Sequence, residues 1–401
     1  MKIFQICNKS PYPPIEGGAI AMNNITQGLI KAGHFVKVLA VNTPKYNIKI
    51  NELPEDYKKN TCYESLYIDT SIKITDAFFN LFTGKSYNVE RFISKKFENK
   101  IIEILSFTEF DVIQLESIFI APYIDTIRRY SKAKIVLRAH NIEHLIWDRL
   151  AENCNSFIKK KYLKHLAKTL KKYEYNTIEK VDGVAAITQH DADFFINVCS
   201  DIPIIDIPVG INFENIDESQ GKREFPGLFH IGSMDWIPNQ EGVRWFIFNV
   251  WNEIIKTYPD LKVFLAGRNM PQWLKNLNIE GVIVAGEVSD AHNLMQSKSI
   301  MIVPLLSGSG MRVKIVEGMA YGNTIISTTI GAEGISCINN ENILIADNPS
   351  EFILAIGKCL NNPDYSDMIG SNAKQLIKKM YDNSIITEKL IQFYNSIIQV
   401  K

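Results

Sequence analysis

The strongest structural signal in the sequence lies in the segment Pro304-Leu305-Leu306-Ser307-Gly308-Ser309-Gly310-Met311-Arg312-Val313-Lys314-Ile315-Val316-Glu317-Gly318-Met319-Ala320-Tyr321-Gly322. An apolar strand ends at Pro304, a loop of small residues follows, and a helical pattern opens near Met311. Glycines let a backbone come close to a ligand, and the free amides of a helix N-terminus attract anions. The segment therefore predicts an anion-binding turn between a strand and a helix.

Charged side chains follow this loop. Arg312 and Lys314 place positive charge beside the predicted anion, and Glu317 lies in the second turn of the helix. A lone carboxylate near a phosphate is better suited to accept hydrogen bonds from sugar hydroxyls than to bind the phosphate. The plainer alternative is a tight turn followed by a solvated helix start.

Short apolar runs alternate with longer helical patterns along the whole chain. Continuous apolar runs are typical of strands that are buried on both faces of a parallel sheet. The predicted strands are residues 2–7, 36–41, 111–115, 134–138 and 183–187, then 228–231, 262–266, 282–285, 299–303, 324–327 and 343–346. The two series predict an α/β protein with two doubly wound, Rossmann-like parallel sheets.

A polar, non-periodic stretch at 211–225 separates the two series. We expect a first domain at 1–213 and a second at 214–383, with the helix 384–401 packing back onto the first. Ligands of open parallel sheets bind at the carboxyl ends of the strands. Two sheets that face each other with these ends would therefore form a central cleft.

Composition limits the class of protein. The 401 residues include 44 Lys plus Arg and 44 Asp plus Glu, so the basic excess of a nucleic-acid binder is missing. The six cysteines contain no CxxC pair, which argues against a zinc ribbon and favours a reducing compartment. Neither a signal-peptide core nor a membrane-spanning apolar run is visible. We expect a cytoplasmic protein, at most peripheral on the inner membrane face.

The segment quoted above resembles glycosyltransferase family 4, whose members are retaining enzymes with the GT-B fold of two Rossmann-like domains facing a central cleft. The second Glu of the family signature matches Glu317, whereas the first falls on Ser309. A subgroup with Gly-Ser-Gly-x-Arg-x-Lys-x-x-Glu is similar to this sequence. The resemblance implies that Glu317 binds the nucleotide ribose. It also implies that the loop amides contact the diphosphate or the sugar, at Gly308, Ser309, Gly310 and Met311.

Further loops resemble the family in the expected order. Gly17 and Gly18 precede a helix and correspond to a loop near the acceptor and the donor phosphate, although an ordinary strand-to-helix turn is the alternative. The family's Gly-Arg-Leu loop falls on Gly232 and Ser233, so its arginine is replaced and the charge must come from Arg312 and Lys314. The remaining donor-binding residues implied are Arg268, Gly286 and Val288, the last two in the loop that frames the base.

His140 follows a predicted strand in the segment Arg138-Ala139-His140-Asn141-Ile142-Glu143-His144. The family resemblance implies that His140 contacts the transferred sugar. The same segment matches the zinc-protease pattern His-x-x-Glu-His, but that pattern needs both histidines on a helix. A structural histidine with satisfied hydrogen bonds is the third interpretation.

The resemblance implies a retaining transferase that moves a hexose-type sugar from a nucleoside diphosphate sugar to a hydroxyl of a glycan or lipid-linked saccharide, in polysaccharide or glycoconjugate synthesis. His140, Arg312, Lys314 and Glu317 would act without a metal or other cofactor, and no nucleic acid is involved. Alternatives are a nucleotide-sugar epimerase on the same fold and a non-catalytic sugar-nucleotide or glycan-binding protein. A Rossmann dehydrogenase is less consistent, because Gly-x-Gly-x-x-Gly is absent after the first strand.

A helix around residues 159–173 carries seven lysines beside an apolar stripe. Such a helix can rest on an anionic membrane surface, which is therefore a candidate partner. The alternative is a helix packed on the core with a solvated charged face.

Overall fold

The computed structural model describes residues 1–154, 156–216, 223–288, 290–308 and 310–399. The chain divides into two compact units. Unit 1 consists of Met1–Gly210 and Asn383–Lys401, and unit 2 consists of Ile211–Asp382. The sequence-based boundary at 213/214 lies a few residues beyond this division.

A parallel sheet forms the centre of unit 1. Its described strands are β1 (Lys2–Cys7), β2 (Phe35–Asn42), β3 (Glu64–Tyr67), β4 (Val112–Glu116), β5 (Lys134–Ala139), β6 (Gly183–Ala186) and β7 (Ile204–Asp206). Their order in the sheet is β3-β2-β1-β4-β5-β6-β7, with every pairing parallel. This is the doubly wound order, in which the direction of the chain across the sheet reverses beside the first strand.

Helices cover both faces of this sheet. They are α1 (Gly17–Lys31), α2 (Glu55–Thr61), α3 (Ile74–Asn80), α4 (Tyr87–Glu90), α5 (Lys95–Phe107), α6 (Ile124–Tyr130), α7 (Glu143–Glu152), α8 (Phe157–Ile178) and α9 (Gln189–Val198). Alternate side chains of β1 enter opposite cores. Phe4 and Ile6 pack with residues of α5, α6 and α9, whereas Ile3 and Cys7 pack with α1.

Unit 2 repeats this architecture. Its described strands are β8 (Glu224–Ile231), β9 (Val263–Ala266), β10 (Val282–Gly286), β11 (Lys298–Val303), β12 (Thr324–Ser327) and β13 (Leu344–Ile345). The order β10-β9-β8-β11-β12-β13 is again parallel and reverses beside the first strand.

The helices of unit 2 pack on two separate cores. They are α10 (Ile237–Phe246), α11 (Asn252–Thr257), α12 (Gln272–Lys275), α13 (Ala291–Ser297), α14 (Val313–Ala320), α15 (Pro349–Asn361) and α16 (Pro363–Met380). A π-helical turn at Ile247–Trp251 joins α10 to α11 and buries Trp251 completely. One core lies under α10, α11 and α15, and the other lies under α13 and α14.

Side-chain caps set several helix starts. Ser94 caps α5 and Thr188 caps α9, each by accepting a hydrogen bond from a backbone N–H of the first turn. By contrast, the N-cap residues of α1 and α14 are Glu16 and Arg312, and within the described residues neither makes a side-chain cap. Their first amides are therefore open to other acceptors.

The C-terminal helix α17 (Asn383–Gln399) belongs to unit 1 and packs against α1. Asn383 Nδ2 donates to the carbonyl oxygen of Asn24 at 2.7 Å, and Asn24 Nδ2 donates to that of Gly210 at 2.7 Å. A Cβ on Gly28 would lie 2.0 Å from Thr387 Oγ1. The close approach of the two helices therefore requires glycine at this position.

Each strand predicted from the sequence corresponds to an observed strand, and the ends agree or differ by at most a few residues. The sequence does not predict β3 and β7, which form the two edges of the unit 1 sheet. Both are short and only partly buried, so neither carries the apolar run of a central strand. Within the described ranges no helix combines the length and apolarity needed to cross a membrane.

We expect Gly28→Ala to lower the free energy of unfolding by about 1–3 kcal/mol, because the added methyl group overlaps Thr387. The matched control is Gly357→Ala in α15, where the new Cβ meets Tyr258 Oη at an ordinary 3.5 Å. That change should stabilise by about 0.5–1 kcal/mol through helix propensity. Urea unfolding compares the two variants, and equal midpoints would contradict the tight α1–α17 contact.

Candidate functional site

The predicted site residues lie at the carboxyl edges of the two sheets. Because the strand order reverses beside β1 and β8, helical connections leave there on opposite faces and open a crevice. The loops after β8 and β11 share this edge in unit 2. The loops after β1, β4 and β5 share it in unit 1.

Lys314 is the centre of the unit 2 site. Its Nζ donates to Asn239 Oδ1 at 2.8 Å, and Asn239 Nδ2 donates to the carbonyl oxygen of Ser233 at 2.8 Å. A Cβ on Gly232 would lie 3.1 Å from Lys314 Nζ and 2.6 Å from Asn239 Nδ2. An amide, an ammonium group and bare backbone therefore converge after β8.

Burial makes the charged form of Lys314 unfavourable in this cluster. Burial and the charge of Arg312 lower the pKa of Lys314 to about 7. Beneath it, His230 Nδ1 donates to the carbonyl oxygen of Ile302 at 2.8 Å. Burial and the charge of Lys314 lower the pKa of His230 well below its usual value, so this imidazole is neutral. A bound anion would offset the cost of the buried ammonium.

The loop after β11 holds Arg312. Its guanidinium carbon lies 5.4 Å from the centre of the Trp236 ring, and its Nη1 donates to the carbonyl oxygen of Gly310. Gly308 and Gly310 adopt positive φ angles of 127° and 77°, which side chains disfavour. The predicted Ser309 lies outside the described residues. The helix α14 begins at Val313, slightly later than the sequence pattern predicts, so Met311 belongs to the loop.

Glu317 lies on α14 beside His292, which no sequence pattern indicates as a site residue. His292 Nε2 lies 3.6 Å from Glu317 Oε1, and the His292 ring lies 5.6 Å from that of Tyr321. The Glu317 carboxylate raises the pKa of His292 although burial opposes the shift. Protonated His292 therefore forms an ion pair with the residue expected to bind a ribose.

The other predicted donor loops are joined to neighbouring loops through main-chain hydrogen bonds. The carbonyl oxygen of Arg268 accepts from the Met234 N–H at 2.8 Å, and that of Gly286 accepts from the Gly267 N–H at 2.8 Å. The Ser233 hydroxyl donates to Asp235. Val288 is partly buried against the core under α14. Arg268 and Gly286 thus hold the loops through main-chain atoms.

In unit 1, Gly17 and Gly18 form the first turn of α1. A Cβ on Gly18 would lie 3.2 Å from Lys9 Nζ and 4.0 Å from His140 Nδ1. Lys9 Nζ also lies 3.4 Å from Glu16 Oε2. The structure therefore brings His140 and the glycine pair to the same edge of the sheet.

A buried carboxylate holds the His140 ring. His140 Nε2 donates to Glu116 Oε2 at 2.6 Å, and Gln5 Nε2 donates to Glu116 Oε1 at 2.7 Å. Glu116 is completely buried at the end of β4. Burial alone would raise the pKa of Glu116, but the hydrogen bond from His140 and the charge of Arg138 outweigh it and lower that pKa.

The second histidine of the segment has a different partner. Glu174 of α8 accepts from the backbone N–H groups of Glu143 and His144 at 2.9 and 3.1 Å, and from His144 Nδ1 at 2.5 Å. It thereby caps α7, which begins only at Glu143. His140 precedes the helix, so the geometry of the zinc-protease pattern is not formed. The described part of the chain contains no group of three His, Cys, Asp or Glu suited to a metal.

Four residues of these clusters were missed by the sequence analysis: Trp236, Asn239, His292 and Glu116. Asn239 and Trp236 follow the first strand of unit 2, so their position gave a usable signal. Glu116 ends a strand otherwise expected to be apolar, which is a second signal. His292 gave none, because its distance from Glu317 depends on the packing of α13.

Comparison with known proteins gives a family for part of the chain. Residues 226–362 match the family model of glycosyl transferases group 1. The chain is 23% identical to an uncharacterized 44.6 kDa protein in the cps region of Klebsiella pneumoniae, over 98% of this chain and 99% of that protein. It is also 23% identical to the uncharacterized glycosyltransferase MJ1069 of Methanocaldococcus jannaschii, with 92% of each covered.

A solved structure is similar over the whole length. Anabaena Alr3699/HepE in complex with UDP has a TM-score of 0.70 at 13% identity, with 99% of this chain and 100% of that chain covered. Sequence identity this low informs about the fold alone. The predicted fold class, two Rossmann-like parallel-sheet domains with GT-B structural relatives, is confirmed.

We expect Lys314→Met to raise the melting temperature of the ligand-free protein at pH 7, because the variant removes a buried ammonium group. The folded-state pKa of Lys314 is about 7, against about 10.4 for an unfolded chain, so the cost to the wild type is fully present below pH 7. That cost is lost as the pH rises through the unfolded value. The advantage of the variant should therefore shrink between pH 7 and pH 10.

The matched control is Lys298→Met. Lys298 is also buried in unit 2, but it pairs with Glu224 and lies 3.5 Å from the centre of the Phe264 ring. Its replacement should lower the melting temperature. If both variants lose stability equally, the prediction that burial of the Lys314 ammonium destabilises the protein is wrong.

Proposed function

We propose that this chain, whose residues 226–362 form a domain of the glycosyl transferases group 1 family, is a retaining enzyme that transfers a hexose-type sugar. The donor is a nucleoside diphosphate sugar, and the acceptor is a hydroxyl of a glycan or lipid-linked saccharide. One observation carries the proposal. The Lys314 ammonium is buried beside Asn239 and the bare backbone of Gly232, and among the described residues no carboxylate pairs with it.

The chemistry needs stabilisation of a departing diphosphate. An ammonium group held at a pKa of about 7 takes up a proton readily when a dianion arrives, and a buried cation acts strongly at short range. Arg312 and the amides at the uncapped start of α14 add to this field. We propose that these groups make a metal ion unnecessary.

Glu317 is the proposed ribose ligand, since its carboxylate can accept two hydroxyl hydrogen bonds. The Anabaena protein was solved with UDP and with UDP-glucose, which makes uridine diphosphate sugars the first donors to test. The relative from the cps region supports a role in polysaccharide synthesis.

Unit 1 is the proposed acceptor unit, in which His140 contacts the transferred sugar beside Gly17 and Gly18. No residue is assigned as a covalent nucleophile. In front-face transfer the leaving phosphate helps to deprotonate the acceptor hydroxyl, so the protein's tasks are positioning and electrostatic stabilisation.

We expect Lys314→Ala to lower kcat about 100-fold or more, because it removes a charge that acts on the leaving diphosphate. Glu317→Ala should mainly raise the KM for donor, because ribose contacts persist throughout the reaction. A thermal-shift screen across nucleoside diphosphate sugars identifies the donor. Transfer to glycan acceptors is then measured with and without EDTA, which should have no effect.

The controls are Lys256→Ala and Glu253→Ala, an exposed ion pair on α11 that should leave kinetics unchanged. Wild-type kinetics in the Lys314 and Glu317 variants would contradict the site. Consumption of donor without acceptor would favour the epimerase alternative. Donor binding without transfer or hydrolysis would favour a non-catalytic binding protein.

We also propose that unit 1 docks on an anionic bilayer through the first turn of α8. The apolar stripe of this helix is buried at Leu163, Leu166 and Leu170, as expected for a core-packed helix. Its start is different, because Phe157 and Ile158 are 70% and 82% exposed and precede three consecutive lysines. Exposed apolar side chains flanked by lysines match an anionic membrane interface in both polarity and charge.

We expect wild-type protein to float with liposomes that contain about one third phosphatidylglycerol, and to float less at high salt, because screening weakens the lysine–lipid attraction. Phe157→Ser/Ile158→Ser should abolish flotation. The control is Phe107→Ser, which alters an 86% exposed phenylalanine at the end of α5. No flotation of the wild type, or equal loss in the control, would refute the docking surface.

A further inference from the structure

A chain of buried hydrogen bonds links the C-terminal helix to His140. Tyr394 of α17 donates from its hydroxyl to Gln114 Oε1, and Gln114 Nε2 donates to Glu116 Oε1. Glu116 Oε2 in turn accepts from His140 Nε2 at 2.6 Å. Tyr394, Gln114 and Glu116 are all buried, whereas the His140 side chain is 14% exposed. The chain thus ends at a ring that solvent and ligands can reach.

We propose that Glu116 and Tyr394 are positioning residues for His140. They hold its imidazole with the proton on Nε2, so that Nδ1 is presented beside Gly18 as a hydrogen-bond acceptor for a hydroxyl of the transferred sugar. This inference rests on the proposed glycosyltransferase function.

The two carboxylate oxygens of Glu116 accept hydrogen bonds from different groups. Oε1 accepts from the side-chain amides of Gln5 and Gln114, and Oε2 accepts from His140. Each amide is oriented in turn by a hydroxyl, since Thr26 donates to Gln5 Oε1 at 2.6 Å. Both groups of the described residues that hydrogen-bond to Oε1 are therefore donors, so the side chain at position 116 must present an oxygen atom to them.

Arg138 supplies charge to the same cluster. Its Nε lies 3.7 Å from Glu116 Oε2, and both side chains are fully buried. None of its guanidinium nitrogens donates a hydrogen bond to the described residues. Arg138 therefore balances the carboxylate charge without competing for the position occupied by His140 Nε2.

This arrangement makes Glu116→Gln a specific test. The new amide must turn its oxygen towards the Gln5 and Gln114 donors, which places its NH2 group against His140. Nε2 then has to accept a hydrogen bond, and the ring proton moves to Nδ1. The variant should invert the His140 tautomer and turn the proposed sugar acceptor into a donor.

Nitrogen-15 NMR of the histidine rings in the full-length, ligand-free protein reads the tautomer directly. Loss of a signal in His140→Gln assigns the ring. Wild-type protein should show the Nε2–H tautomer and Glu116→Gln the Nδ1–H tautomer. The matched control is Glu174→Gln, which alters the other buried glutamate bonded to a histidine and should leave the His140 signal unchanged.

Kinetics test whether the orientation of His140 affects sugar transfer. Glu116→Gln should lower kcat about 100-fold, as expected when a polar contact to the reacting sugar changes from acceptor to donor. Tyr394→Phe keeps the buried charges. It therefore tests the series of hydrogen bonds to His140 even where Glu116→Gln fails to fold. It should lower kcat about fivefold without changing the KM for donor, through loss of one hydrogen bond. Phe393→Leu, on the same helix, should leave kcat unchanged.

An Nδ1–H tautomer in the wild type, or an unchanged tautomer in Glu116→Gln, overturns the positioning role. An inverted tautomer with wild-type kcat overturns its functional meaning. Wild-type kcat in Tyr394→Phe would show that Tyr394 does not position His140. Absence of transfer by wild-type protein that shows the expected tautomer refutes the proposed function and leaves the hydrogen-bond geometry standing.

Discussion

The strand order of the two sheets is the constraint on which both candidate sites depend. A parallel strand cannot turn directly into its neighbour, so each connection must cross one face of the sheet. Where the order reverses, beside β1 and β8, successive crossings lie on opposite faces and leave the carboxyl ends open. Polar residues placed there need not be covered by a connecting helix. Lys314 follows β11 beside this point in unit 2, and in unit 1 Glu116 ends β4 beside it and accepts a hydrogen bond from His140.

The side-chain clusters at the two carboxyl edges differ in their charge balance. In unit 2 the cations Lys314 and Arg312 lie close together, and burial lowers the pKa of Lys314. The cluster is therefore more stable with an anion than without one. In unit 1 the charge of Glu116 is already balanced by Arg138, and its oxygens are occupied by protein donors. That cluster has no need of an external charge and instead fixes the orientation of the His140 ring.

The sequence predicts the parts of the structure that depend on local pattern. The central strands are buried on both faces, so their apolar runs are visible, whereas the edge strands β3 and β7 lack such runs. The glycines at 308 and 310 predict the loop after β11 because positive φ angles favour that residue. The partners His292 and Glu116 depend on long-range packing. No spacing in the sequence encodes the 3.6 Å between His292 and Glu317 or the 2.6 Å between Glu116 and His140.

Two histidines at these edges differ in their hydrogen-bond partners and in the charge around them. His230 donates from Nδ1 to a main-chain carbonyl and lies under a lysine, so burial and that lysine hold it neutral. His140 donates from Nε2 to a carboxylate, which leaves the opposite nitrogen beside Gly18. A carbonyl partner with a cation nearby keeps positive charge off the His230 ring. A carboxylate partner allows the ring to polarise when a hydroxyl approaches. The same type of side chain is thus held neutral by its surroundings in unit 2 and oriented by a carboxylate in unit 1.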